Sequence, residues 1–178
     1  MENDIGFEIL TYPSALTGRP HYNIEDHSFN FSMDLGQEIR CGKMGTTSFA
    51  IDTLQLEISI ENLFCLYCSG YCPVESWKRA SLAPPTTKSG SLRANYKNQL
   101  HPAISVCIDD MVPPDAWFDT NSGWFCMGRK GPQGGAAAVE FATGCLAVVT
   151  DKKLSSLWIQ PENWRKVTEV IQGKSIAQ

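Results

Sequence analysis

Leu54-Gln55-Leu56-Glu57-Ile58-Ser59-Ile60, then Glu61-Asn62, then Leu63-Phe64-Cys65-Leu66-Tyr67-Cys68, is the stretch that decides the fold. Leu54, Leu56, Ile58 and Ile60 alternate with Gln55, Glu57 and Ser59. One face is therefore apolar and the other polar, the period-two signature of a half-buried strand. Glu61-Asn62 makes a turn, and residues 63–68 return antiparallel as a hairpin. The same pattern extends outward. Phe29, Phe31 and Met33 alternate with Asn30 and Ser32. Residues 136–142 and 145–150 flank Thr143-Gly144, a two-residue hairpin signal. Asp151-Lys152-Lys153 turns again into a strand over 154–160, and residues 124–127 join this meander. Residues 103–109 read as a central strand, with Cys107 buried in it.

Helical signals are few. Pro161 suits a first helical position, Trp164, Val167 and Ile171 recur at helical spacing, and Gly173 is a natural stop, so a helix is expected over 161–172. A short turn or helix is expected at 114–117, with Asp115 as the cap if it is a helix, and residues 74–82 are ambiguous between strand and helix. Residues 83–100, with Pro84-Pro85 and Ser89-Gly90-Ser91, read as one long polar, basic loop. The chain of 178 residues is 43% hydrophobic and 19% charged, which fits one globular domain spanning 1–178. The fold class is mainly β, at the margin of α+β. It is an antiparallel sandwich, a bent sheet or a partly open barrel of about 8–10 strands with one C-terminal helix.

Seven cysteines, an odd number, cannot all pair internally. The acidic start, Met1-Glu2-Asn3-Asp4, lacks the basic region and apolar run of a secretory segment, so the expected setting is a soluble protein of the reducing cytoplasm. No run approaches the roughly 18 apolar residues that a membrane span requires.

The formal charge of −4 hides a polarity. Residues 1–62 hold ten acids and three bases, whereas residues 76–100 hold Lys78, Arg79, Lys88, Arg93 and Lys97 and no acid. The acidic third suits a basic partner, and the net charge argues against a general nucleic-acid binder. Lys88, Arg93 and Lys97 are the anion-binding candidates; the alternative is a loop kept solvated by its bases.

Chemical motifs are sparse. Cys65, Cys68 and Cys72 offer three thiolates to a zinc ion, with Cys41, His27 or His101 as a fourth ligand, although a strand there sends Cys65 and Cys68 to opposite faces. No cofactor is expected otherwise. A histidine paired with Cys72 would make a Cys-His hydrolase or transferase. Gly128-Arg129-Lys130-Gly131-Pro132-Gln133-Gly134-Gly135 has the composition of a phosphate cradle but no helix behind it. Trp158 and Trp164 are expected to pack on each other, and Trp77 and Trp117 are the better candidates for exposure.

Three functions remain open. The first is a cytoplasmic partner-binding protein of the inhibitor or immunity kind, using Glu25, Asp26, Asp34 and Glu38 with Trp77 and Trp117 as anchors. In general character the chain resembles many bacterial immunity and inhibitor proteins, a likeness of build without a shared motif. The second is a small β-barrel enzyme or ligand-binding protein, cyclase- or isomerase-like, with an aromatic-lined apolar pocket and His27, His101, Asp109 and Asp110 as its polar groups. The third is a zinc-stabilised structural module.

Overall fold

The computed structural model describes residues 4–109, 114–132 and 134–173. In chain order the strands begin with β1 (Gly6–Leu10), β2 (Gly18–Asn23), β3 (Ser28–Met33), β4 (Thr46–Ile51), β5 (Leu54–Ser59) and β6 (Cys65–Tyr71). Then come β7 (Lys78–Arg79), β8 (Lys88–Ser89), β9 (Ser91–Asn95), β10 (Val106–Cys107) and β11 (Ala116–Phe118). The last are β12 (Phe125–Gly128), β13 (Ala137–Ala142), β14 (Cys145–Thr150) and β15 (Lys153–Ile159), followed by helix α1 (Trp164–Ile171).

The hairpin read at 54–68 lies in the middle of a six-stranded sheet of order β10-β4-β5-β6-β3-β2. Leu54, Leu56 and Ile58 of β5 are buried while Gln55 and Glu57 are not, as the alternation requires. A seven-stranded sheet of order β7-β11-β12-β15-β14-β13-β8 packs against it, and β1 with β9 forms a two-stranded ribbon at the side. One large core fills the space between them, with Phe7, Tyr22, Phe29, Phe49, Phe118, Phe125 and Phe141 all fully buried. The architecture is a β-sandwich of bent sheets with one C-terminal helix, and no barrel closes. The strands outnumber the expectation because several are only two or three residues long.

The C-terminal meander follows its turn chemistry. Thr143-Gly144 joins β13 to β14, and Asp151-Lys152, both at positive φ (51° and 63°), joins β14 to β15 in a tight two-residue turn.

Residues 83–100 are not one loop. Leu92 and Ala94 are buried and Arg93 and Asn95 exposed, so the second half is strand β9, paired along its length with β1. The first half is an extended strap. β7 and β8 are opposite edges of the seven-stranded sheet, six inter-strand gaps or roughly 29 Å apart. The nine residue steps from Arg79 to Lys88 reach roughly 30 Å when extended. Leu82 of this strap packs with Cys126, Leu146, Val148 and Trp158 in a second apolar cluster on the sheet's outer face. Asp119, 5% exposed, ties the strap down, since its carboxylate accepts Leu82 N–H at 3.0 Å and Asn121 N–H at 2.8 Å. Trp158 therefore faces away from the main core, and it does not meet Trp164.

Trp164 instead packs beside Gly123, where an added Cβ would collide with its indole. The helix is shorter than expected because residues 161–163 cover the edge of β2. Glu162 N–H donates to Pro20 O at 2.8 Å. The Asn163 side chain accepts Tyr22 N–H at 3.0 Å and donates to Tyr22 O at 2.8 Å, standing in for a missing strand residue. Residues 103–109 do not form a central strand. Only Val106 and Cys107 pair, parallel to β4 at the sheet edge, and Cys107 is exposed. Asp115 caps no helix; it precedes strand β11 and meets Lys78 Nζ at 2.6 Å. Among the described residues no helix is long and apolar enough to cross a membrane.

Gly123 sits at φ 77° under Trp164. Gly123→Ala is expected to lose about 2 kcal/mol or more in urea unfolding, while Gly131→Ala, in open space, changes little.

Burial acts upward on the Asp119 carboxyl, but the hydrogen bonds from Leu82, Asn121 and Ser122 outweigh it and hold the group below its usual range. A depressed folded-state pKa gives stability that is present above the unfolded value and lost as pH falls through the folded one. Urea unfolding of Asp119→Asn should therefore show its largest deficit near neutrality. The deficit should shrink below about pH 4.

Candidate functional site

The acidic residues of the N-terminal third do not share one face. Glu25 and Asp26 lie in the turn joining β2 to β3, and Asp34 and Glu38 follow the other end of β3. The six residues of β3 separate the pairs by roughly 17 Å or more.

At the first end, other carboxylates gather. Ser28 pairs with Tyr71 across β3 and β6, and Cys72 N–H donates to His27 O at 2.7 Å. These contacts bring the 24–27 turn against the end of β6. Thr53 in the β4–β5 turn donates to Tyr71 O, so Asp52 joins the same end. A 3-10 turn, Val74–Ser76, follows β6 and sets Glu75 Oε2 3.8 Å from His27 Nδ1. The result is an end bearing Glu25, Asp26, Asp52 and Glu75, all exposed, around His27 and Tyr71, which is 51% exposed. The turn backbone is prearranged, because Asn23 Oδ1 accepts the N–H groups of Glu25 (3.0 Å) and Asp26 (3.2 Å).

Trp77 is not an exposed anchor. It is 8% exposed and packed among Tyr22, Phe29, Phe118 and Phe125, because the chain passes between the sheets there. Trp117 is half-buried on the outer face, with Lys130 Nζ 3.9 Å and Lys78 Nζ 5.1 Å from its ring centre. Lys130 of the glycine-rich 128–135 segment is thereby engaged with an aromatic ring.

The enzyme candidates are dispersed. His27 is at the acidic end, His101 is exposed in the loop after Leu100, and Asp109 is exposed just beyond the β10 edge. Asp110 falls outside the described residues. An open groove of about 330 Å³ lies elsewhere, lined by the Glu8–Arg93 pair with Glu61, Asn62 and Asn95. The anion candidates also separate. Lys88 is on the sheet edge beside β13, Arg93 donates to Glu8 at 2.6 Å, and Lys97 lies beyond the end of β9. Gly90 turns the chain between Lys88, on the seven-stranded sheet, and Arg93, on the β1–β9 ribbon, and Arg93 is already paired with Glu8.

Cys65, Cys68 and Cys72 do not converge, and no group of three ligating side chains occurs among the described residues. A register shift in the β5–β6 ladder, with Glu57 opposite Tyr67 and Ile58 opposite Cys65, inserts Leu66 as an extra residue. Cys65 and Cys68 are consequently both buried rather than on opposite faces. The Cys68 thiol is held well up by its hydrogen bond with Cys145 and by burial, and burial alone raises Cys65. Burial pushes Cys72 up to about 11, against the Trp77 indole N–H that donates to its sulfur at 3.3 Å. A thiol so protonated, under an indole, is not the activated nucleophile a Cys-His hydrolase needs.

Glu75 and Tyr71 were missed by sequence reasoning, whereas Asp52 belongs to the acidic third, residues 1–62, that the sequence singles out. A signal existed: residues 44–77 contain no Lys or Arg. No protein-family model, curated protein or solved structure matches the chain.

With Cys65, Cys68, Cys72, Cys126 and Cys145 buried and Cys107 exposed, a thiol reagent should modify Cys107 rapidly in the native protein. Cys41, half-buried with its thiol raised by burial, should follow slowly. The other five should react only on denaturation, and Cys107→Ser should remove the fast phase.

Proposed function

We propose that this is a partner-binding protein of the inhibitor or immunity kind, which seats its acidic end on a basic protein surface. The observation carrying this reading is the gathering of Glu25, Asp26, Asp52 and Glu75 around the half-exposed ring of Tyr71. Carboxylates of one sign at the tip of a rigid sheet steer an oppositely charged partner, and a central aromatic supplies desolvated contact area. Tyr71 takes the anchoring role that Trp77, buried in the core, does not. The setting is a cytoplasmic complex, in keeping with free thiols throughout the described residues.

The test uses tagged protein and native lysate at low salt, with a Glu25→Lys/Glu75→Lys double variant beside the wild type. Both side chains are exposed, so unfolding midpoints should coincide. A stoichiometric partner should be retained by the wild type and lost by the variant. Its association rate should fall by roughly tenfold or more between low and physiological salt. Capture that is indifferent to both charge reversal and salt would overturn the proposal.

A further inference from the structure

Two thiols meet across the space between the sheets. Cys68 of β6 lies opposite Leu56 in the six-stranded sheet, and both side chains are buried in the main core. Cys145 of β14 lies opposite Ile159 in the seven-stranded sheet, and both are buried in the same core. Leu146, the next residue, belongs instead to the outer cluster, so Cys145 points inward. The sulfurs therefore enter the inter-sheet space from opposite walls, and they are joined by a hydrogen bond. Water reaches neither, since Cys68 is 2% exposed and Cys145 is fully buried.

The walls approach closely enough for a covalent link. A disulfide needs Cα atoms roughly 4.4–6.8 Å apart, whereas facing sheets ordinarily stand about 10 Å apart. Here β6 and β13, the hairpin partner of β14, come within 8 Å of each other between Cα atoms. A free cysteine commonly packs as a small apolar residue, and that accounts for Cys126 in the outer cluster. It does not account for two sulfurs brought from opposite sheets onto each other. Cys72 is engaged by the Trp77 indole, and Cys107 stands at the exposed β10 edge.

We infer that Cys68 and Cys145 are an inter-sheet disulfide site, reduced in this structure and closed by a small disulfide oxidant of the glutathione class. One cysteine thiolate attacks oxidised glutathione, forming a mixed disulfide and releasing one glutathione thiol. The second thiolate attacks the protein sulfur of that mixed disulfide and releases the other. One protein S–S bond forms, two protein S–H bonds are lost, and the two protons and the electron pair end on two glutathione thiols. Both sulfurs are buried in the native state, so the exchange takes place while the sheets are still open, and their closure selects and protects the pair. Cys65, buried near Cys68 on the same strand, is the competing thiol. A link between positions so distant in sequence restricts the unfolded chain strongly, so the closed form resists unfolding more than the open one. The inference does not rest on the partner-binding reading.

The test refolds the full chain from urea, once with a reducing phosphine and once with a mixture of oxidised and reduced glutathione. Remaining thiols are alkylated in denaturant, and the protein is digested and read by mass spectrometry without reduction. The glutathione-refolded chain should lose two of its seven thiols and yield a peptide joining Cys68 to Cys145. Its urea midpoint should exceed that of the reduced protein by roughly 1 M or more and fall back on reduction. Cys145→Ala should abolish the linked peptide and the shift, whereas Cys107→Ser, at the exposed edge, should keep both. If Cys145→Ala does not fold, the linkage map of the wild type decides alone. Seven free thiols after refolding in glutathione overturn the inference, as do links dominated by Cys65 with Cys68 or by any other pair. A link between Cys68 and Cys145 that does not raise the urea midpoint overturns it too.

Discussion

Trp77 is the point on which the two sheets depend. The chain leaves the six-stranded sheet at Tyr71 and enters the seven-stranded sheet at Lys78, and the indole is buried in between. It stacks on Phe29 at 5.8 Å, and Phe118 and Phe125 close on it at 5.2 and 4.9 Å. Tyr22 meets its edge at 5.0 Å. Strands β2, β3, β11 and β12 thus contribute to one aromatic cluster. Such contacts add area burial and specific ring geometry to the core. The indole N–H is satisfied by Cys72 and the Tyr22 hydroxyl by Cys72 O, so the cluster leaves no polar cost at its centre.

The rest of the molecule follows from that crossing. Once in the second sheet at β7, the chain must reach the far edge, and it does so by the strap across the outer face. The strap covers apolar side chains that the sheet would otherwise show to water, including Cys126 and Trp158. β8 then bends through Gly90 into β9, which pairs with β1 and touches Phe64 beside β6. The chain so closes one side of the sandwich. Both ends of the six-stranded sheet are left free of this covering. One end carries carboxylates and a tyrosine, the other the exposed side chains of Leu35, Ile39 and Met44.

Local order in the chain was legible wherever one residue's neighbours along the strand decide its face. The β5 alternation, the Thr143-Gly144 and Asp151-Lys152 turns and the helix containing Val167 were all readable, because period and turn chemistry are local properties. Residues 83–100 were misread because a bridging strap and an edge strand both look polar and proline- or glycine-rich. The burial of Leu92 and Ala94 depends on a partner, β1, that lies far away in the sequence. Residues 103–109 erred in the other direction: their apolar composition is spent at an exposed edge. Trp77 and Trp158 were misplaced for one shared reason. A tryptophan next to turn signals can face the core, the outer face or solvent, and only the path of the chain between sheets chooses.

Composition, strand period and turn residues by themselves determined a mainly β chain with one C-terminal helix, and a polarity between acidic and basic segments. Only the tertiary structure decided which charges stand together. Glu25 and Asp26 are adjacent in sequence to nothing that explains them; they meet Asp52 and Glu75 because antiparallel pairing brings three turns to one end of a sheet. Asp34 and Glu38, close in sequence to that pair, are carried away by the length of β3. Strand pairing is non-local, whereas periodicity is local, and a surface is made by pairing.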